Sequence, residues 1–149
     1  VNGQKSTGTT HFRLTMTATY SPCRKGTVLA PSGPVDHLHI VCSDPIYSAE
    51  HGYDVVLVVN VSSVPSTGPY DNSCLLDAGE HPFIRHPSYL VYSRAVLWRC
   101  PTLTDKVESG EYRTHDDVSD SVIHKVMAGF LRSARTSFKV IRFIERHAL

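Results

Sequence analysis

The sequence lacks several features that would assign it quickly to a functional class. It has no run of about 18 apolar residues, the length that a bilayer-spanning helix needs. Its amino-terminal stretch is polar and lacks the apolar segment of a secretory signal. It also has no excess of one charge, because 15 lysines and arginines stand against 14 acids. These absences argue against membrane insertion and against a broad polyanion-binding surface, and they predict a soluble, cytoplasmic protein.

Metal and disulfide signatures are also missing. The four cysteines form no C-x-x-C pair and no short metal-ligand spacing. We expect four free and mostly buried thiols, with two disulfides as the alternative. The nine histidines are more informative, because the charge of this side chain changes near neutral pH.

The chain nevertheless contains enough apolar material for one core, with 41% hydrophobic residues in 149. Residues 1–15, rich in Gly, Thr and Ser, are predicted to form a flexible arm, and residues 16–149 a single domain. Tyr53–Ser62 holds a continuous run of valines and is predicted to be a central strand buried on both faces. Further strands are predicted at Cys23–Ala30, Asp36–Ser43, Ser73–Leu76 and Tyr89–Trp98.

The last third of the chain predicts helices. The polar stretch from Pro101 to Val118 is interpreted as a long loop, and Ser119–Leu131 as a helix with one apolar stripe. The basic tail, SFKVIRFIERHAL, fits a helix better than a strand, and its cations are interpreted as a solvated helix face. The predicted fold is therefore mainly β with a C-terminal helix (α+β), as a small bent sheet or a partly open, SH3-like barrel.

Side chains able to exchange protons are concentrated between the third and fourth cysteines. His81 and His86 flank Arg85 in a proline-bounded segment that cannot form a regular strand throughout. A metal-free ribonuclease needs a base for the 2′-hydroxyl proton, an acid for the leaving oxygen and a cation for the phosphate. These three residues supply all of them, and Ser63 at a neighbouring strand end is a fourth candidate. The alternative is that both histidines only hold the loop by bonding backbone groups.

Contacts to RNA bases are predicted for aromatic residues of the same region. Tyr89, Tyr92 and Trp98 can stack on bases, since every base has a π-face, and Arg94 adds a cation. At least one of the aromatic residues is expected to belong to the core instead, because positions i and i+3 of a strand point to opposite faces.

A metal site is the second interpretation of the histidines. His37 and His39 share one face of a predicted strand, and the two histidines of the proline-bounded segment would complete a four-imidazole zinc site if that loop folded across. No acid stands in a ligand motif, so no metal and no other cofactor is predicted for the main hypothesis.

The order of these pieces resembles the MazF/PemK toxin family. The matching pieces are Gly26-Thr27-Val28, HLHIVCS, VVLVVNVSS, the strand–turn–strand from SCLL to VLWRC, and a helix starting near Ser119. The resemblance implies an SH3-like barrel that cleaves single-stranded RNA, acts as a toxin, forms a homodimer and has a cognate antitoxin protein as partner. The family's Thr or Ser after the central strand falls on Ser62 or Ser63. Asp36-His37 stands where the family has an arginine followed by a proline.

Together these observations predict a divergent, toxin-like endoribonuclease that uses metal-independent acid–base chemistry. The alternative is a catalytically silent barrel that acts as a protein- or nucleic-acid-binding module of a mobile element. Toxicity on expression that is lost when His81 or His86 is replaced would distinguish the enzyme from the binding module.

Overall fold

The computed structural model describes residues 19–149, which form one open antiparallel sheet and three α-helices. The strands are β1 (Thr27–Ser32), β2 (Val35–Val41), β3 (Ile46–Ser48), β4 (Tyr53–Ser63), β5 (Leu75–Leu76), β6 (Ser88–Leu90), β7 (Val96–Arg99) and β8 (Arg113–His115). The helices are α1 (Cys100–Glu108), α2 (Asp120–Arg132) and α3 (Phe138–Arg146). The predicted class, mainly β with a C-terminal helix, is confirmed. The predicted arm, residues 1–15, lies outside the described residues.

Strand β4 is the centre of the sheet. The strand order is β5-β6-β4-β2-β1-β8, and both β3 and β7 also pair with β4. Every side chain from Val55 to Val61 is buried, so the prediction of a strand covered on both faces is confirmed. The continuous valine run follows from this position, because neither face of the strand is left to water.

The two faces of β4 are covered by different helices. On one face, Leu57 and Val59 pack in a large cluster with the apolar stripes of α2 and α3. On the other face, Val56 and Val58 pack in a smaller cluster with Cys100 and Leu103 of α1. Beyond α1 this second face continues with polar side chains of β2 and β4, which line a surface depression.

The segment from Pro101 to Val118 was predicted as a loop, and that prediction is wrong. It contains most of α1 and the strand β8, which pairs with β1. Pro101 lies in the first turn of α1, where its missing N–H has no intrahelical partner to lose. The apolar stripe of this short helix is narrow, and the surrounding polar residues hide it in the sequence.

The prediction of one strand from Tyr89 to Trp98 is also wrong. β6 ends at Leu90, a 3₁₀ turn covers Tyr92–Arg94, and β7 begins at Val96. The break turns Tyr92 into the core, where its hydroxyl donates to the Val126 carbonyl of α2 at 2.7 Å. Burial of this side chain therefore takes precedence over the strand propensity of the surrounding sequence.

Three smaller expectations can be compared with the structure. All four cysteines are free, with Cys23 exposed and the other three buried, as predicted. The tail is a helix, and the Ser137 hydroxyl caps it by accepting from the Val140 N–H at 3.3 Å. Within residues 19–149, no helix has the length and apolar character needed to cross a membrane.

Candidate functional site

A cleft of about 420 Å³ opens where the sheet divides. β2 pairs with β4 only over His39–Val41. Beyond that point β2 continues beside β1, whereas the end of β4 pairs with β6 on its other side. In the described part of the chain no strand fills the gap between β2 and the end of β4. The two strands therefore diverge and leave a wedge whose buried apolar lining is Leu38, Val61 and Ile84.

Polar residues from three distant segments line this cleft. Ser63 comes from the end of β4, Arg85 and His86 from the loop before β6, and Asp36 and His37 from β2. The first three are exposed and His37 is half-buried. The structure thus brings together three of the four predicted catalytic residues and adds a histidine that the sequence analysis had considered only as a metal ligand.

The loop that carries Arg85 and His86 is held in place by its own hydrogen bonds. The N–H of Gly79 donates to the Ile84 carbonyl at 2.9 Å, and the positive φ of 91° at Gly79 is a conformation that glycine adopts readily. The Ile84 side chain is 4% exposed and belongs to the large core cluster. Because Ile84 anchors the loop, the two residues that follow it are directed to the cleft.

His81 supports this loop and does not enter the cleft. It is 2% exposed. Its Nε2–H donates to the Asp116 carbonyl at 2.7 Å, and its Nδ1 accepts from the Phe83 N–H at 3.0 Å. Both ring nitrogens are occupied, so the proton-transfer role predicted for His81 does not fit its position. Its contacts are those of the alternative, a histidine that bonds the backbone of a proline-bounded loop.

We expect His81→Ala to lower the free energy of unfolding by about 2–4 kcal/mol, because it removes both hydrogen bonds of a buried side chain, leaves the Phe83 N–H without its partner and creates a cavity. His124→Ala is the matched control. His124 is exposed on α2 and bonds one carbonyl of its own helix, that of Asp120. The control should stay within about 0.5 kcal/mol of the wild type. Urea denaturation measures both, and equal small losses would contradict the structural role of His81.

Glu80 fixes the start of the same loop to α2. Its Oε1 lies 2.8 Å from the Lys125 ammonium, and its Oε2 accepts from the Asp77 N–H at 2.6 Å. Burial opposes ionisation of Glu80, but the contacts with Lys125 and Asp77 outweigh it and lower the pKa of the carboxyl. Glu80 is therefore an ionised structural group and not a general acid near neutral pH.

A second depression, of about 160 Å³, adjoins the cleft at His37, which lines both. Arg94 lines it together with His39, Asn60 and Trp98. The Nδ1–H of His39 donates to the His37 carbonyl at 2.9 Å, and its ring lies 5.0 Å from that of Trp98. Burial and the neighbouring His37 lower the pKa of His39, against the hydrogen bond, which raises it. His39 is thus neutral at pH 7 and presents Nε2 as an acceptor.

A third depression, of about 220 Å³, continues the series and shares Trp98 with the second. The Trp98 ring lies 5.7 Å from that of Tyr112, and the Lys106 ammonium lies 4.8 Å from the centre of the Tyr112 ring. The three depressions together are termed the basic track. Its cations are Arg85, Arg94 and Lys106, and the Lys106 ammonium also lies 3.7 Å from Glu111. Asp36 is the one acid among the lining residues, and it is paired with Arg113 of β8 at 2.7 Å.

No protein-family model, curated protein or solved structure matches the chain. The resemblance to the MazF/PemK toxins therefore stays a prediction, and the chemistry of the cleft and the basic track carries the functional proposal below.

Two of the predicted RNA contacts lie away from the basic track. Tyr89 lines none of its depressions, and its ring lies 5.3 Å from that of Tyr70. Tyr92 is 1% exposed, and burial raises the pKa of its hydroxyl. Of the three aromatic residues predicted to stack on bases, Trp98 is the one that lines the track. Tyr112 also lines the track, but it was not predicted to contact RNA because its segment was interpreted as a loop.

The histidines considered for a zinc site do not come together as metal ligands. Among residues 19–149, no group of three or more His, Cys, Asp or Glu side chains is arranged to hold a metal ion. His37 and His39 do share one face of β2, as strand alternation predicts. His81 does not join them, since backbone groups occupy both of its nitrogens.

Proposed function

We propose that this protein is an endoribonuclease that cleaves single-stranded RNA in the cleft between β2 and β4. The observation that carries the proposal is the convergence of two histidines, an arginine and a serine in one concave site: His37, His86, Arg85 and Ser63. Segments far apart in sequence supply them, so a local sequence motif does not explain their proximity. Convergent polar groups in a cleft are the expected composition of a reaction centre.

The proposed reaction uses the 2′-hydroxyl of the RNA as the nucleophile. One histidine takes the proton of this hydroxyl as the bond from the 2′-oxygen to phosphorus forms. The other histidine gives a proton to the 5′-oxygen as its bond to phosphorus breaks. The products are a 2′,3′-cyclic phosphate and a free 5′-hydroxyl, and no metal or cofactor is needed. Unlike His81, His37 makes no side-chain hydrogen bond within residues 19–149, and because its Nδ1 is buried, Nε2 is the nitrogen left for proton exchange.

Arg85 and Ser63 act on the phosphate in this scheme. The crowded phosphorus centre gains negative charge as the 2′-oxygen attacks, and a guanidinium placed beside it stabilises that charge. The Ser63 hydroxyl donates to a non-bridging oxygen. Arg85 reaches the cleft from the loop before β6, whereas the family that the sequence resembles places its arginine where Asp36 and His37 stand. The proposed enzyme therefore supplies this cation from a different segment.

The basic track favours a single strand as the substrate. Its cations neutralise phosphates, and the rings of Trp98 and Tyr112 stack on unpaired bases, which a duplex does not present. A toxin role in the cytoplasm, a cognate antitoxin and a homodimer follow from the resemblance to the MazF/PemK family and belong to the same proposal.

The direct test is incubation of the purified protein with end-labelled single-stranded RNA in the presence of EDTA. We expect fragments that end in 2′,3′-cyclic phosphates, and resistance wherever a 2′-deoxynucleotide replaces the attacking ribose. Duplex RNA and DNA of the same sequence are the controls. If single-stranded RNA stays intact between about pH 5 and 8, the range in which histidine titrates, the nuclease proposal fails. A nucleic-acid-binding module, which the basic track alone supports, would then remain.

We expect Trp98→Leu to weaken binding of a single-stranded oligonucleotide by about 5- to 150-fold, since a base stacked on an aromatic ring contributes about 1–3 kcal/mol. Leucine preserves most of the apolar contact with α1 but removes the stacking surface. Tyr89→Leu is the matched control and should leave affinity unchanged, because Tyr89 lies outside the track. Fluorescence anisotropy at fixed salt measures both. A loss of affinity at Tyr89 and none at Trp98 would exclude the track as the binding surface.

A further inference from the structure

A groove of about 520 Å³ lies between α3 and the hairpin formed by β3 and β4, and the proposed nuclease does not use it. It lies on the sheet face opposite Trp98 and Tyr112 of the basic track. Leu97 and Phe143, which line it, pack against the cluster of α2 and α3, whereas Trp98 and Tyr112 pack against the cluster of α1. We term it the α3 groove.

One wall of the α3 groove is strongly cationic. Lys139, Arg142 and Arg146 line it, and their spacing of three and four residues places them on one face of α3. None of the three forms an ion pair with another residue of the described chain, 19–149. Glu50 is the one acid among the lining residues. The wall therefore carries positive charge that no ion pair within residues 19–149 neutralises.

The floor and rim of the groove are apolar. Val55, Leu97 and Phe143 line the floor. Tyr47 and Phe138 at the rim are 65% and 73% exposed, the highest values among the large hydrophobic side chains of the described residues. Single exposed apolar residues are ordinary on protein surfaces, but two aromatic rings beside one groove are typical of an interaction site.

We propose that the α3 groove binds an acidic segment of a partner protein that also carries apolar or aromatic side chains. Carboxylates of the segment would pair with Lys139, Arg142 and Arg146, and its apolar side chains would fill the floor. A single-stranded nucleic acid matches the charge but not the apolar floor.

This inference does not depend on nuclease activity. Because the α3 groove shares no lining residue with the cleft, the acidic segment and the reacting part of the RNA bind to different sites. The His86→Ala variant should therefore bind the acidic segment as the wild type does, whether or not the protein cleaves RNA.

The test is fluorescence anisotropy with a labelled peptide in which glutamates alternate with leucine and tryptophan. One comparison peptide replaces the glutamates by glutamines, a second replaces the apolar residues by serines, and a third probe is oligouridylate of similar length. We expect only the first peptide to bind to the α3 groove, and more weakly as salt rises, since exposed charges are screened. Either peptide control binding as well as the first would overturn the proposal.

Arg142→Glu should lower affinity for the acidic peptide by about tenfold or more, because it replaces an attraction by a repulsion. Arg132→Glu is the matched control, since Arg132 is exposed at the end of α2 and lies outside the groove. Phe138→Ser tests the apolar rim and should also weaken binding. Equal effects of the Arg142 and Arg132 changes would overturn the proposal. So would oligouridylate binding that depends on Arg142 while the peptide does not bind.

Discussion

His86→Ala is expected to lower the rate of RNA cleavage by about 10²–10⁴-fold, the range for removal of a general acid or base. The free energy of unfolding should stay unchanged, because the His86 side chain is exposed and the residue's hydrogen bond is made by its backbone carbonyl, which accepts from the Ser88 hydroxyl at 2.8 Å. His37→Ala should cause a loss of similar size. Single-turnover cleavage of labelled RNA measures the chemical step without product release.

The pH dependence of the cleavage rate shows which of the two histidines is the base and which is the acid. The proposed reaction needs one neutral and one protonated histidine, so the wild-type rate should be bell-shaped against pH. Removal of the base should abolish the limb on the acidic side, and removal of the acid should abolish the limb on the basic side. Replacing both His37 and His86 should cost little more than replacing one, since the two act in the same step.

His81→Ala and His124→Ala are the controls for this prediction. His124→Ala should cleave at the wild-type rate. His81→Ala should lose stability, yet the fraction that remains folded should also cleave at nearly the wild-type rate. If His81→Ala instead lost activity as fully as His86→Ala while keeping its stability, the assignment of His81 to the loop scaffold would be contradicted.

The sequence predicts the elements whose residue pattern is local. The valine run of β4 and the apolar stripe of α2 follow from periodicities within a single segment, and both are found in the structure. α1 was missed because it is nine residues long and mostly polar at its surface. The break between β6 and β7 was missed because its cause is distant, a contact of Tyr92 with a carbonyl of α2.

The candidate site shows the same division between local and distant causes. His81 and His86 lie in one short proline-bounded segment, and nothing in that segment distinguishes them. Their difference comes from Asp116, 35 positions away, whose carbonyl accepts from His81 and leaves His86 free to face the cleft. The cleft itself results from the change of strand partner along β4, which single-sequence periodicity does not encode. The polar residue types were predictable, but their convergence was not.

Gly129→Ala is expected to lower the free energy of unfolding by about 1–3 kcal/mol, although alanine usually stabilises a helix relative to glycine. Alanine normally stabilises a helix interior by about 1 kcal/mol relative to glycine. Here the added Cβ would lie 2.6 Å from Cζ of Tyr92 and 2.9 Å from Cβ of Cys74, closer than real contacts of this kind. Tyr92 is 1% exposed, and its hydroxyl donates to the carbonyl of Val126, which lies on α2 as Gly129 does. The Tyr92 ring therefore cannot move away from the added methyl group. Overpacking of this kind costs about 1–3 kcal/mol, and loss of the hydrogen bond adds about 1 kcal/mol.

A double-mutant cycle with Tyr92→Phe tests whether this collision is the cause. The phenol oxygen of Tyr92 is the atom nearest to the added methyl, so removing it should relieve part of the strain. Tyr92→Phe alone should cost about 1 kcal/mol for the lost hydrogen bond. The double variant should then be less destabilised than the sum of the two single changes, as expected for residues in direct contact. Ala128→Gly on the same helix is the control and should lose only about 1 kcal/mol. Additive effects at positions 92 and 129, or a stabilising Gly129→Ala, would show that α2 does not approach Tyr92 as closely as the structure places it.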